Sequence, residues 1–345
     1  MGTIVREANL QTDGETIREC LRRFLTPRAD LPRYHWLYRD NPQGQVRAWL
    51  AIDQPTNTVI GSAAAFPRRL YDRGGEVEAW VLGDFCIDDR YRVLGPALTL
   101  QRSMFAALES SGKSFCYDFP GEKMVAIYKR MRMEPTGRMV RMARAVRVDR
   151  IVTEYVRFPI AATGISALGN WVLGTTLRAP KFSSAIEFAV VDGKCGAEFS
   201  QLCEKIGDRH GACVKRSAAY LNWRYLDNPY CAYSLMTARR GGALAAYAVF
   251  GRGEDDGVIA DLFGEADGEI LSGLLHRVVK NLRDQGVLTV SCELFESHPW
   301  LSWVEAAGFR PRETKPLIAY NLREKAATEP GGARGWFMMH GDRDS

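Results

Sequence analysis

The strongest candidate for chemistry is a short loop, Arg92-Val93-Leu94-Gly95-Pro96-Ala97, which separates an apolar run from a segment with helical spacing. Gly95 lets the backbone turn tightly, and Pro96 suits the first position of a helix, where a missing N–H removes no hydrogen bond. The free amides of such a turn and the positive end of the helix dipole favour an anion. Arg90 and Arg92 add charge suited to phosphate oxygens. Taken alone, the loop fits a plain helix cap with solvated arginines better, so the surrounding elements must decide.

Strands and helices in a regular order surround this loop. The apolar pattern predicts strands over residues 48–52, 58–66, 79–87 and 114–119, and helices over residues 96–110 and 122–130. Strand, helix, strand and helix after an antiparallel start indicate an α/β fold with a mixed sheet. In this order the loop lies at a strand-to-helix junction, which is where a phosphate site belongs.

The sequence also repeats itself. Residues 36–42 (WLYRDNP) recur as residues 223–229 (WRYLDNP), a shift of 187 positions with five identities in seven. Val81 to Phe85 resembles Val258 to Leu262, and Gly112 and Gly286 each precede an apolar strand. Several landmarks in register favour a tandem duplication over chance. In each copy we expect an Asp-Asn-Pro turn that fixes a helix end beneath a core tryptophan.

The loop in this setting resembles the GCN5-related N-acetyltransferase (GNAT) superfamily, whose signature Q/R-x-x-G-x-G/A is matched by Arg92, Gly95 and Ala97. The resemblance covers residues 30–140 and, in a degenerate form, residues 215–312. It implies two acyl-CoA N-acyltransferase domains in tandem. The expected organisation is an acyl-CoA-binding domain (1–150), a connector (151–199), a degenerate second domain (200–322) and a tail (323–345), either exposed or docked as a strand.

The resemblance also implies a cofactor and roles for particular residues. Coenzyme A, carrying acetyl or another acyl group, would bind with its pyrophosphate on the amides of residues 92–97. Its pantetheine arm would lie along Phe85, Cys86 and Ile87, like an added strand. An acceptor amine would attack the thioester directly, with Tyr128 protonating the leaving thiolate. Asp84 is the first candidate for the base that takes up the amine proton, ahead of Glu78 and Asp88.

Two departures from the family pattern limit these assignments. The first copy has Arg132-Met133 where the family commonly has Gly-Phe, and it lacks the asparagine often found near the start of the tyrosine helix. The second copy keeps Gly308-Phe309 but has residues 264–269 (GEADGE) in place of the loop. Three carboxylates there would repel a pyrophosphate, so we expect the second copy not to bind coenzyme A.

Other functions remain open at this stage. One alternative is a non-catalytic binding or scaffold protein on a decayed fold of this type. Another is a related transferase that uses aminoacyl-tRNA, acyl carrier protein or a long acyl chain as donor. The identity of the amine acceptor, the acyl chain length and the oligomeric state are not encoded in any pattern we find.

Composition indicates a globular protein and argues against several classes of site. With 345 residues, 46% hydrophobic and a net charge of +5, the chain has ordinary globular composition and too small a positive excess to predict nucleic-acid binding. Five histidines and eight cysteines show no metal-ligand spacing, so no metal is expected. Residues 1–9 lack a signal-peptide pattern, so a cytoplasmic location is expected. The uncharged stretch Ile160 to Leu177 is too diluted by glycine to predict a membrane span, although peripheral contact stays open.

Overall fold

The computed structural model describes residues 2–72, 74–91, 94–149, 166–170, 185–327 and 335–343. The strands are β1 (Thr3–Glu7), β2 (Arg47–Asp53), β3 (Thr58–Asp72), β4 (Gly75–Ile87), β5 (Phe115–Asp118), β6 (Gly137–Ala145), β7 (Ile186–Val190), β8 (Ala212–Val214), β9 (Tyr233–Arg240), β10 (Ala243–Arg252), β11 (Asp256–Gly264), β12 (Thr289–Phe295), β13 (Arg310–Asn321), β14 (Ala326–Ala327) and β15 (Trp336–Phe337). The helices are α1 (Gly14–Phe24), α2 (Leu31–Tyr34), α3 (Leu94–Glu109), α4 (Glu122–Arg130), α5 (Ala197–Ile206), α6 (Ala218–Leu221), α7 (Gly268–Asp284) and α8 (Leu301–Ala306).

The α/β class and the element order around the loop are confirmed. Each strand and helix predicted in the first half is present, with changed ends: β3 runs on to Asp72, β4 begins at Gly75 and α3 begins at Leu94. The β3–β4 hairpin is longer than its apolar pattern because polar residues are paired within it. Arg68, for example, pairs with Ala79 in the ladder and is fully buried, with its guanidinium over the Trp223 ring.

One continuous mixed sheet runs through both halves of the chain. Its strand order is β1-β2-β3-β4-β5-β13-β6-β12-β11-β10-β9-β7. Strand β13, from the second half, pairs with β5 of the first half, and β6, from the first half, pairs with β12 of the second. The two halves therefore exchange strands, and neither segment completes a sheet from its own residues. Alternate residues of β2 enter different apolar clusters, so both faces of the sheet are covered.

The two repeated tryptophan segments meet where the halves join. Each follows a short helix as a π-helical turn, His35–Arg39 in the first half and Asn222–Leu226 in the second. The indole N–H of Trp36 donates to the carbonyl of Trp223 (2.7 Å), and the indole N–H of Trp223 donates to the carbonyl of Trp36 (2.6 Å). This reciprocal pair joins the two halves through the same residue type of each repeated segment.

Two expectations concern the connector and the tail. Of the stretch Ile160 to Leu177, only residues 166–170 are described, and they are helical. No helix within the described part of the chain is both long and apolar enough to span a membrane. In the tail, β15 lies parallel to β8, with Trp336 opposite Ala212 and Phe337 opposite Cys213.

Candidate functional site

A cavity lies where the first half, the second half and the tail meet. Its volume is about 550 Å³. The first half lines it with Leu25, Thr26, Arg28, Arg33, Trp36, Ala63, Leu82, Gly83, Asp84, Phe85, Gln101, Met104, Asp118, Phe119, Pro120, Gly121 and Met124. The rest of its wall comes from Arg224, Tyr225, Asn228, Tyr230, Cys231, Tyr233, His340 and Gly341.

A cleft between two parallel strands opens one side of this cavity. Strands β4 and β5 pair only where Ala79–Val81 faces Phe115–Tyr117, and beyond these residues their ladder ends. A bulge in β4 coincides with the cleft: the register against β3 shifts between Gly83 and Cys86, and Asp84 takes a positive φ of 49°. Diverging parallel strands leave backbone N–H and C=O groups that an extended amide chain can bind.

The structure brings only part of the predicted pantetheine segment to the cavity. Phe85 lines it, as do the three residues before Phe85. Cys86 and Ile87 do not line it, and both side chains are buried. The Cys86 thiol lies 3.7 Å from the Cys20 thiol and 3.4 Å from the Ser62 hydroxyl, so it packs into the core. The cavity-lining part of β4 is therefore Leu82–Phe85, earlier in the strand than expected.

Helix α3 connects the cleft with the predicted pyrophosphate loop. Arg92 and Val93 lie outside the described residues, and α3 begins at Leu94. Gly95 is exposed and a Cβ built on it meets nothing within 4 Å, whereas Pro96 and Ala97 are buried. Gln101 and Met104, farther along α3, line the cavity. At 1.5 Å per residue, the helix start at Leu94 is about 10–15 Å from these residues along the helix axis.

The Asp84 carboxylate is held by a buried ion pair. Arg33 donates to its two oxygens at 2.6 and 2.8 Å, and the Tyr38 hydroxyl donates to Oδ2 at 2.7 Å. All three side chains are nine-tenths or more buried. Burial and the adjacent Asp84 charge raise the pKa of Tyr38 well above its ordinary value. The carboxylate that the sequence suggests as a base is thus already bound to a guanidinium and a phenol.

Tyr128 lies one hydrogen bond behind the cavity wall. Its hydroxyl donates to Asp118 Oδ2 (2.6 Å) and accepts from Gln101 Nε2 (3.0 Å), and both of those partners line the cavity. The tyrosine itself is fully buried, and burial together with the Asp118 charge raises its pKa well above 10. Tyr128 is therefore protonated at neutral pH. Gln101 Oε1 is buried and has no hydrogen-bond partner within the described ranges.

A histidine and a glutamate that no sequence motif connects meet beside the cavity. His340 lines it, and its Nδ1 lies 3.0 Å from Oε2 of Glu293 on β12. Burial of the Glu293 carboxyl raises its pKa, but the hydrogen bond from His340 and the charges of Arg343, His340 and Lys315 outweigh burial and hold it at about 2. Because 47 residues separate His340 from Glu293, no local spacing predicts that they meet. The only sequence feature that pointed to this region was the apolar tail.

The low pKa of Glu293 predicts acid sensitivity. Because its folded-state pKa lies below the ordinary 4.5, the stabilisation is fully present above pH about 4.5 and is lost as the pH falls toward 2. A pKa shift of this size contributes at most about 3 kcal/mol to the free energy of unfolding. Chemical denaturation at several pH values should show Glu293→Gln less stable than the native chain at pH 7, with the difference shrinking below pH 4.5. A difference that stays constant with pH contradicts this assignment.

The tail fills the corresponding cleft of the second half. There β11 and β12 pair in parallel only from Asp256–Ile259 against Thr289–Cys292. Beyond that point the Phe295 N–H donates to the Met338 carbonyl (3.0 Å), and the Leu262 N–H lies 3.1 Å from the Met339 sulfur. Beyond the β11–β12 ladder, a backbone N–H of β12 is thus bonded to the tail of the same chain.

A carboxylate of the protein already occupies the start of α7. Asp267 caps α7, and its carboxylate accepts from the amides of Glu269 (2.9 Å) and Ile270 (3.2 Å). Arg240 forms an ion pair with the same carboxylate at 2.6 Å. The amides that would hold a pyrophosphate in this copy are therefore bonded to a carboxylate of the protein.

The described residues contain no group of three or more His, Cys, Asp or Glu side chains able to hold a metal ion. What the site offers is a strand cleft, a helix whose Gln101 and Met104 line the cavity, and polar groups in the cavity between the halves.

Comparison with solved structures identifies this architecture. A conserved protein of unknown function from Enterococcus faecalis V583, described as a probable N-acyltransferase, superposes with a TM-score of 0.68 at 10% identity, over 94% of this chain and 73% of the other. A GCN5-related N-acetyltransferase from Anabaena variabilis gives 0.64 at 12% identity, over 93% and 73%. Saccharomyces cerevisiae N-myristoyltransferase with bound myristoyl-CoA gives 0.59 at 9% identity, over 92% and 82%.

No protein-family model matches the chain, and no curated protein matches it in sequence. Identities this low establish the fold alone, and the matches cover both halves of the chain. The chain therefore has the mixed α/β fold of the GCN5-related N-acetyltransferases.

Proposed function

We propose that the protein is an acyl-CoA-dependent N-acyltransferase with one donor site, in its first half. The observation that supports this most is the contrast between the two copies: the β4–β5 cleft opens into the cavity, whereas the tail occupies the β11–β12 cleft. A pantetheine arm would lie along Leu82–Phe85, with its pyrophosphate at the start of α3. Acetyl is the proposed acyl group, since charged Arg33 and Asp84 in the cavity wall disfavour a long apolar chain.

In this proposal the acceptor amine attacks the thioester carbonyl carbon. A C–N bond forms, the C–S bond breaks, and the coenzyme A sulfur leaves as a thiolate. Backbone N–H groups of the β4 bulge stabilise the oxygen on which negative charge develops. Tyr128, the candidate from the sequence for returning a proton to the thiolate, stays a prediction. Its hydroxyl does not line the cavity and its raised pKa makes it a weaker acid, so the proton would have to pass through Asp118, which does line the cavity, and Tyr128 would take up a proton again afterwards.

We assign the proton-accepting role to His340 in preference to Asp84. The Asp84 carboxylate already receives three hydrogen bonds, so we propose that it holds Arg33 and the bulge in position. In His340, Nδ1 faces Glu293, which leaves Nε2 as the ring nitrogen available to the cavity. A carboxylate on Nδ1 fixes the ring orientation and stabilises the imidazolium that forms when Nε2 accepts a proton.

Gly95→Glu tests the donor site directly. A side chain at Gly95 meets nothing within 4 Å, so we expect the variant to fold normally, while the added carboxylate at the helix start repels the pyrophosphate. Calorimetry should show coenzyme A affinity at least about tenfold weaker. This corresponds to a loss of about 1.4 kcal/mol in binding free energy from one like charge.

The matched control for this variant is Gly196→Glu, at the start of α5, where a Cβ also meets nothing within 4 Å. It should bind coenzyme A like the native chain. Equal affinity in both variants excludes the start of α3 as the pyrophosphate site.

A further inference from the structure

We propose that Arg224 and Tyr225 form a subsite for a carboxylate of the acceptor, so that the acceptor is a small amine that also carries a carboxylate. This inference rests on the proposed function, because it concerns the second substrate of the same cavity. In this inference the second half of the chain recognises the acceptor.

Arg224 carries an unpaired donor at the cavity. Its side chain is 3% exposed, its Nε donates to the Gly341 carbonyl (2.7 Å), and its guanidinium lies over the Trp36 ring. Nη1 is buried and has no hydrogen-bond partner within the described ranges. An arginine stays charged when buried, and a buried charge without an anion is costly. A negatively charged ligand group in the cavity would supply the missing partner.

Tyr225 places a second unpaired donor on the same wall. The residue is 2% exposed, and its hydroxyl has no hydrogen-bond partner in the described part of the chain. A Cβ built on Gly341 would lie 1.8 Å from this hydroxyl, so Gly341 must be glycine to leave room for it. Arg224 and Tyr225 both line the cavity, and each carries a buried donor directly behind its wall, which a ligand reaches once the side chains shift.

The other buried cavity arginine differs from Arg224 in having an anionic partner. Arg33 pairs with Asp84 at 2.6 Å. The residue that the repeat aligns with Arg224 is Leu37, which is 1% exposed, so the unpaired charge is particular to the second half. No carboxylate in the described residues lies within 4.0 Å of the Arg224 guanidinium nitrogens, whereas the charges of the buried Asp261 and Asp342 act on the Tyr225 hydroxyl, so Arg224 supplies the attraction for the anion.

The number of donors favours a carboxylate. One N–H and one O–H match the two oxygens of a carboxylate, whereas a phosphate brings about two charges and three oxygens that would need more partners. With the carboxylate on Arg224, the amine of a small acceptor points into the remainder of the 550 Å³ cavity, which the β4 bulge and His340 also line.

The test compares amines that differ only in the anion. Thiol release from acetyl-CoA is measured with a panel of free amino acids, β-alanine and γ-aminobutyrate against the amide of each, with O-phosphoethanolamine as the phosphate probe. We expect at least one carboxylate to be turned over with a kcat/KM about 100-fold above that of its amide, since a site built for a charged hydrogen-bond partner rejects the analogue that lacks it. No carboxylate preferred over its amide, or preference for the phosphate probe, overturns the inference.

Arg224→Met is the variant arm of the test. It should lose about 10–100-fold in kcat/KM for the preferred carboxylate while its affinity for coenzyme A is unchanged, and Arg224→Lys should recover part of the loss. The control is Arg277→Met, which removes an arginine stacked on Phe188 away from the cavity. If the native chain fails to bind coenzyme A, the proposed function fails; if it binds but shows no carboxylate preference, only this inference fails. If Arg224→Met does not fold, the comparison of carboxylates with their amides on the native protein still tests the inference.

Discussion

Replacing Arg216 with methionine is expected to lower the free energy of unfolding by about 3–5 kcal/mol, because it leaves two buried carboxylates without their cation. Arg216, Asp261 and Asp342 are all 0% exposed. The guanidinium contacts Asp261 at 3.0 Å and Asp342 at 2.8 Å, and Asp342 belongs to the tail. The variant should therefore also release the tail from the β11–β12 cleft and remove His340 and Gly341 from the cavity.

Two comparisons make this prediction specific. Arg239→Met removes an arginine from a partly exposed pair with Glu198 and should cost about 1 kcal/mol or less. Asp342→Asn should cost much less than Arg216→Met at neutral pH, since it removes the surplus negative charge of the cluster. Burial raises the pKa of Asp342, in agreement with that surplus. Urea denaturation gives the energies, and hydrogen exchange of residues 336–343 reports the tail; equal costs for Arg216→Met and Arg239→Met contradict the account.

Replacing His340 with glutamine is expected to lower kcat by about 10²–10⁴-fold, the usual contribution of a positioned general base. The change removes the proton acceptor that we place at the cavity and retains a polar side chain of similar size. Coenzyme A affinity should stay within about twofold of the native value, because no part of the proposed donor site includes His340. The measurement is steady-state thiol release together with coenzyme A titration of the same preparation.

Other variants separate this role from a structural one. Glu293→Gln keeps the ring but removes the anion on Nδ1, so its kcat should fall less than that of His340→Gln. His276→Gln, on α7 and outside the cavity, should leave kcat unchanged. A His340→Gln enzyme with native kcat would return the role of base to Asp84 or to a water molecule.

Local pattern predicted the elements that carry the donor site. Apolar runs and helical spacing placed β4, α3, β5 and α4 close to their observed ends, because the alternation or helical spacing of apolar residues lies within each element. The repeat predicted two related halves, and the tryptophans of its two segments bond each other reciprocally. Each of these features depends on a short continuous segment, and apolar periodicity is detectable within such segments.

Distant contacts could not be predicted in the same way. The exchange of β6 and β13 between the halves depends on pairings across more than 100 residues. Asp84 was a plausible base until its partner Arg33, 51 residues away, was located beside it. His340 had no motif, since its partner and its place in the cavity both follow from the docking of the tail. Side chains brought together by long loops leave no spacing signature.

The second copy has a carboxylate at the start of α7 and the tail in its strand cleft. Repulsion by the carboxylates of residues 264–269 led us to expect no coenzyme A binding there. The structure adds two independent reasons, the Asp267 cap on α7 and the tail in the β11–β12 cleft. Both use up the backbone groups on which the donor site of the first copy depends. We therefore retain the proposal that only the first copy binds coenzyme A.

The most direct test of the account is the number of coenzyme A molecules bound per chain. Calorimetric titration of the native protein with coenzyme A, repeated with acetyl-CoA, should give one site, and Gly95→Glu should weaken that site whereas Gly196→Glu should not. If coenzyme A does not bind at millimolar concentration, the protein has the fold but no donor site. Two sites per chain would show that the tail does not close the second cleft, and either result would contradict the proposal of one donor site in the first half.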